Sequence, residues 1–259
     1  MLRYPLNRFP KGAFLIGTAD WTIPRQEAAE FPTEGTHLQR YAARLTAVEI
    51  NSSFYRSHRA STYTRWAAGV PAGFRFSVKV PKTITHASRL QEVERLLDDF
   101  LSGVQLLGSA LGCLLVQLPP SLAFDAVVAE RFFTMLRDRY SDGVACEPRH
   151  ASWLQPHAES MLTALRIARV AADPEQPLGA GSPGGWPGLQ YYRLHGSPRM
   201  YYSSYAQDYL EQVAEQLTRA RADGKTVWCI FDNTAQGAAT RNALELLSLS
   251  FDQGASISE

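Results

Sequence analysis

At 259 residues, with 45% apolar and 20% charged residues, the chain has enough hydrophobic mass for a full core and is too apolar to be mostly disordered. Its 26 Lys and Arg balance 25 Asp and Glu, so no global field draws it to nucleic acid or an anionic membrane, and an anionic partner must be met by a local cluster. Cys113, Cys146 and Cys229 each lie in an apolar run, which reads as buried thiols in a reducing compartment rather than a disulfide scaffold or a thiolate zinc site.

Residues 1–11 place prolines and charges where a secretory signal needs an apolar core, and no later run reaches membrane-spanning length. A cytoplasmic protein is expected, in which Asn51-Ser52-Ser53 matches a glycosylation sequon by chance. Eight short β-rich runs follow, at 14–18, 47–51, 74–80, 113–117, 144–147, 169–173, 189–195 and 227–232. Amphipathic stretches alternate with them, as in βα units around a parallel sheet. Leu38, Tyr41, Ala42 and Leu45 form one helical stripe, and Val93, Leu96, Leu97, Phe100, Leu101 and Val104 another, with Thr36 and Ser61 as N-caps. His37 and His157 fall in helical stretches and read as surface residues.

After the sixth strand, residues 174–188 (PEQPLGAGSPGGWPG) hold too much Gly and Pro for a helix. A long loop is expected there, either a tolerated insertion or a cover over the strand ends. The first turn, Gly17-Thr18-Ala19-Asp20, lacks the glycine fingerprint of a dinucleotide-binding sheet. The fold expected is therefore one domain, residues 1–259, built as an eight-stranded parallel (β/α) TIM barrel with one helix replaced by that loop.

Such barrels carry their reactive groups where strands run out into loops, and alternation along each strand selects the inward side chains. Phe74, Phe76, Val78 and Val80 take one parity and face helices; Lys79 takes the other with Ser77 and Arg75. The same rule turns Glu49, Asn51 and Gln117 inward, pairs Glu147 with Arg149, and sets Arg193 and His195 opposite Tyr192 and Leu194. Asp173, Asp232 and Asn233 close the sixth and eighth strands. These acids sum to −4 and Lys79, Arg149 and Arg193 to +3, so the mouth is close to balanced.

The same residues carry a resemblance. Val48-Glu49-Ile50-Asn51-Ser52-Ser53-Phe54-Tyr55, Val78-Lys79-Val80-Pro81 leading to Ile84-Thr85-His86, and Gln117-Leu118-Pro119-Pro120-Ser121 resemble motifs of the YecE-like family. So do Glu147-Pro148-Arg149-His150-Ala151-Ser152-Trp153, Tyr192-Arg193-Leu194-His195-Gly196 and Phe231-Asp232-Asn233-Thr234. That family, a domain of unknown function numbered seventy-two, is a TIM-barrel family, and the likeness runs from about Gly17 to Leu246. It implies the fold and the site but no reaction. Two stretches depart: Gly17-Thr18-Ala19-Asp20-Trp21 stands where the family tends to have Gly-Thr-Ser-Gly-Trp, and Pro148 and Ala151 replace an aromatic residue and a proline.

Several accounts of the mouth compete, among them that of a non-catalytic binding or structural barrel. Buried charges must be paired, so these residues could be an ion-pair network without chemistry. Two glutamates, two aspartates and His195 include metal-ligand types, and fold analogy points to an endonuclease IV-like phosphodiesterase or nucleic-acid-binding protein. Intervening Arg and Lys argue against a cation, and no His-Glu-x-x-His spacing occurs.

The reading adopted is a metal-independent enzyme, of hydrolase or lyase type and without cofactor, acting on a small phosphate- or carboxylate-bearing ligand. Arg149 and Arg193 supply forked donors and Lys79 a point charge. Glu49 or Glu147 is the expected general base and His195 the acid. Asn51, Tyr55, His86, Gln117, His150, Trp153, Asp232 and Asn233 complete the candidate binding set, and Trp21, Tyr201, Tyr202 and Tyr205 are candidate walls or plain packing. Ser52, Ser53 and Ser121 flank the mouth without a Gly-x-Ser-x-Gly turn, and no P-loop, zinc finger or RNA-recognition signature occurs.

Overall fold

A computed structural model of the chain describes residues 14–256. Residues 1–11, read above as lacking a signal's apolar core, lie outside the described part. The strands are β1 (Phe14–Ala19), β2 (Ala47–Ile50), β3 (Arg75–Lys79), β4 (Leu111–Gln117), β5 (Gly143–Glu147), β6 (Ala168–Arg169), β7 (Ala171–Asp173), β8 (Gly184–Gly185), β9 (Leu189–Leu194) and β10 (Thr226–Phe231). The helices are α1 (His37–Ala42), α2 (Ala60–Ala68), α3 (Glu94–Val104), α4 (Ala126–Arg139), α5 (Pro156–Ala164), α6 (Gln207–Ala222) and α7 (Ala238–Ser256).

The sheet runs β7-β9-β10-β1-β2-β3-β4-β5-β6-β8 and is parallel except for the β6–β8 pair. It is an α/β fold with a nearly closed, barrel-like sheet of ten strands rather than the eight counted from sequence. Two local features raise the count. The expected sixth strand is split at Val170, with β6 pairing β5 and β7 pairing β9. Residues 174–188 add β8, whose Gly185 N–H donates to Glu159 Oε2 at 2.6 Å. The rest of that stretch is turn and bend.

Alternation along the strands separates two apolar layers. Phe76, Val78, Leu114, Val116, Val144 and Cys146 pack outward against the helices, while Leu15, Ala47, Cys113, Leu115, Ala145, Tyr191 and Trp228 fill the interior. Burying each large side chain is worth about 1.5–3 kcal/mol, so the outer layer fixes which strand face is left for the polar interior. The helices follow the same logic: α4 buries Ala129, Phe132, Phe133 and Leu136, a 3.6-residue stripe, and Asp125 caps it through Val128 N–H at 3.1 Å. Thr36 caps α1 in a reciprocal box with Gln39. Ser61 does not cap: α2 starts two residues earlier than that cap requires, at Ala60, with Arg59 at the N-cap position. Leu96 points away from its stripe and is exposed.

Gly17 shows how close the staves lie. An added Cβ would meet the Ala47 carbonyl oxygen at 1.8 Å, and the Tyr41 hydroxyl there accepts from Thr18 N–H at 2.8 Å and donates to Ala47 O at 3.1 Å. The three cysteines are buried and unpaired, and burial pushes each thiol up. No helix among the described residues is long and apolar enough to cross a membrane.

Candidate functional site

At the carboxyl ends of the parallel strands the charged side chains converge on Arg193. It has no exposed surface, and its Nε and Nη2 donate to Glu49 at 3.0 and 2.7 Å. Nη1 reaches Glu147 Oε2 at 2.8 Å and Nη2 reaches Asp232 Oδ2 at 3.0 Å. One guanidinium thus holds three carboxylates. Its fork faces protein, not solvent, which corrects the expectation that Arg193 presents donors to a ligand. Among the described residues no group of His, Cys, Asp and Glu is gathered so as to hold a metal ion.

Glu147 is the second hub. It accepts from Gln117 Nε2 at 2.8 Å, from Arg149 Nε and Nη2 at 3.1 and 2.8 Å, and faces His195 Nε2 at 2.9 Å. Burial opposes its ionisation, yet Arg193, Arg149 and His195 hold the carboxyl well below the usual carboxylate range. A carboxylate so committed is a weak base. Glu49 is fully buried, bound by Arg193 and by the Tyr191 hydroxyl at 2.9 Å, which also reaches Ser77 Oγ at 2.8 Å. Neither glutamate is therefore placed as the general base expected of it.

His195 lies between Glu147 and Asp232, whose Oδ2 is 3.1 Å from Nδ1. Both ring nitrogens can donate to carboxylates only in the imidazolium. Burial works against that charge, but Glu147, with Asp232 bonding to the ring, raises its pKa against the opposing field of Arg193. Burial would raise Asp232, and Arg193 and His195 more than reverse it. The edge of Tyr201 approaches the imidazole at 5.8 Å.

Two cations remain nearer the solvent. Arg149 spends Nε and Nη2 on Glu147 and leaves Nη1 with Gln176 Oε1 at 3.5 Å, the limit of a hydrogen bond. Gln176 belongs to the Gly/Pro-rich stretch, which thus reaches the mouth. Lys79 Nζ sits over the Phe54 ring at 4.3 Å. His86 is lowered by burial and then by the charges of Lys79 and Arg149, which makes the three electrostatic neighbours. Tyr55, 69% exposed, stands edge-on to Phe54 with Lys82 5.5 Å from its ring.

Asp20 completes the rim. Its φ of 60° is a left-handed conformation that a glycine enters freely and an aspartate enters at a cost. The carboxylate offsets that cost by accepting the Asn51 N–H at 3.1 Å, while burial raises its pKa.

The structure thus brings Glu49, Lys79, Gln117, Glu147, Arg149, Arg193, His195 and Asp232 together, with Asn51, Tyr55 and His86 at the edge. It does not bring three others. His150 caps the short turn Ala151–Leu154 through Ser152 N–H, Trp153 is buried with its indole N–H on Leu122 O at 2.9 Å, and Asn233 ties Ser203 O to Asn242. Asp173 also turns away, accepting from the Tyr205 hydroxyl at 2.8 Å. Trp21 packs edge-on to Trp66, and Tyr202 lies under Arg199. Sequence reasoning missed Tyr191, although it shares the parity of Arg193.

A family model described as "Protein of unknown function DUF72" matches residues 15–256. The UPF0759 protein YecE of Escherichia coli is 30% identical over 104 residues, covering 40% of this chain and 37% of that protein, so the match spans well under half of YecE. The UPF0759 protein YunF of Bacillus subtilis is 25% identical over 248 residues, covering 82% of this chain and 86% of YunF. A crystal structure of a DUF72 family protein from Enterococcus faecalis superposes with a TM-score of 0.76 at 21% identity, over 92% of this chain and 96% of that one.

Proposed function

The chain belongs to the DUF72 family, and on that premise we propose that it is a metal-independent enzyme acting on a small phosphate- or carboxylate-bearing ligand at the mouth of an eight-stave (β/α) barrel. Taking β6 and β7 as one stave, since only Val170 separates them and its N–H donates to Cys146 O at 2.9 Å, and setting aside the two-residue antiparallel β8 supports the count. The observation that carries the functional reading is the division among the cations. Arg193 is consumed by three carboxylates, whereas Arg149, ion-paired with Glu147 alone, keeps Nη1 near Gln176, and Lys79 has no ion-pair partner among the described residues. A cation already occupies the centre of the acidic cluster, which favours chemistry without a metal, and the donors that Arg149 and Lys79 have not committed are the ones left for a ligand.

His195, held as an imidazolium, is the acid of the site, and an oxyanion bound on Arg149 completes the guanidinium's unfilled hydrogen bonds. The proposal places the protein as one domain in a reducing cytoplasm, which its three unpaired buried cysteines support. Melting curves with and without inorganic phosphate test it. Phosphate should raise the melting temperature of the native protein and leave Arg149→Gln unmoved. An equal shift in both proteins, or none in either, would overturn the assignment.

A further inference from the structure

Lysine is scarce in this chain. Of its 26 basic residues only Lys11, Lys79, Lys82 and Lys225 are lysines. Lys82 is exposed, and Lys225 is partly exposed and paired with Asp223 at 3.1 Å. Lys79 is different: it is 6% exposed, ends β3 inside the mouth, and forms no ion pair within 4.0 Å among the described residues. The carboxylates that could have paired with it are committed to Arg193, Arg149 and His195. Ser53 donates to the Lys79 carbonyl at 2.7 Å and so fixes the strand end from which the side chain departs.

A positive charge needed only for its field is served by arginine, which cannot lose its proton; lysine can. Burying an unpaired ammonium beside a guanidinium costs free energy that the neutral amine avoids. Burial and then Arg193 accordingly lower the Lys79 pKa from its ordinary 10.5, against the three carboxylates that raise it.

We propose that Lys79 is the nucleophilic amine of the site and forms a Schiff base with the carbonyl carbon of an aldehyde- or oxo-bearing anion. The proposal rests on the reading of the mouth as an anion site and adds the substrate class. The amine nitrogen adds to the carbonyl carbon, the oxygen takes protons and departs as water, and a C=N bond remains to Nζ. His195 gives each proton to that oxygen and, as the imidazole, takes one back from the nitrogen, so the two protons the amine loses leave with the water and neither Glu49 nor Glu147 is needed as the base.

Pyridoxal phosphate joins an aldehyde to a phosphate and serves as the probe. The native protein is incubated with it, the C=N bond is fixed by borohydride, and the peptides are mapped. Lys79 should be labelled near neutral pH severalfold faster than Lys82 and Lys225, because its amine is buried beside Arg193 without an ion-pair partner and its pKa is lowered. Inorganic phosphate should slow that labelling. Label spread over Lys82 and Lys225 with Lys79 spared, or a Lys79 rate that climbs only toward pH 10.5, overturns the proposal. Because this profile is taken on the wild-type protein, it does not depend on the folding of any Lys79 variant. A phosphate melting shift without label on Lys79 removes the Schiff base and leaves the anion site; neither signal removes both.

Discussion

Arg193 and Glu49, 144 residues apart in sequence, meet through two hydrogen bonds of 3.0 and 2.7 Å with neither side chain touching solvent. The pair sets the depth of the mouth.

Removing Arg193 therefore leaves Glu49, Glu147 and Asp232 buried without their shared cation. Arg193→Ala should lose about 3–5 kcal/mol of stability, the usual result of breaking a buried ion pair from one side. Urea unfolding measures it, and a midpoint near wild type would show that water enters and solvates the three acids.

Tyr191 donates into the same layer from beneath. Tyr191→Phe keeps the ring stacked on Trp228, with centroids 5.7 Å apart, and removes only the hydroxyl between Glu49 and Ser77. A loss of about 1–3 kcal/mol is expected from the oxygens left unsatisfied. A neutral result would mean that Arg193 alone satisfies Glu49.

The ion network also fixes the pH response. The pKa of His195 is raised above 6.5, so the stability it contributes is fully present below 6.5 and is lost as pH rises through the folded value. Glu147 and Asp232 are depressed below 4.5 and 3.8, so their contribution is present above those values and lost as pH falls through the folded ones. His195→Gln should flatten the decline on the alkaline side while leaving the acid limb in place. Melting temperatures across the range decide it, and identical alkaline limbs would show that His195 is neutral in the native state.

Gly17→Ala tests the closeness of β1 and β2. The added methyl would drive into the Ala47 carbonyl and displace the Tyr41 hydroxyl. Loss of folded, soluble protein is expected, because the obstacle is backbone in the middle of a sheet. A well-folded variant would show that the two strands can part.

Period-two alternation was enough to find Glu49, Lys79, Gln117, Arg193 and His195, because the outer face of each strand is apolar and its inner face is not. It fails past the last ladder bond, where the pleat no longer governs direction: Trp153, His150 and Asn233 follow such ends and turn aside. Asp173 sits opposite Leu194 in the ladder and shares its outward face, a register that the surrounding alanines did not reveal. Which carboxylate takes which cation depends on contacts between distant strands, so Arg193 could be placed in the mouth without its fork being known to be spent. Tyr191 went unnoticed because a phenol reads as apolar until a buried acid lies within reach of its hydroxyl.

The most direct measurement is a crystal of the wild-type protein soaked in phosphate. Density for the anion is expected against Arg149 Nη1 on the Lys79 side of the mouth, with Gln176 displaced and the Arg193 contacts to Glu49, Glu147 and Asp232 unchanged. Phosphate found only on surface arginines, with the Arg149 to Gln176 contact intact at full soak, would contradict an anion site at the barrel mouth.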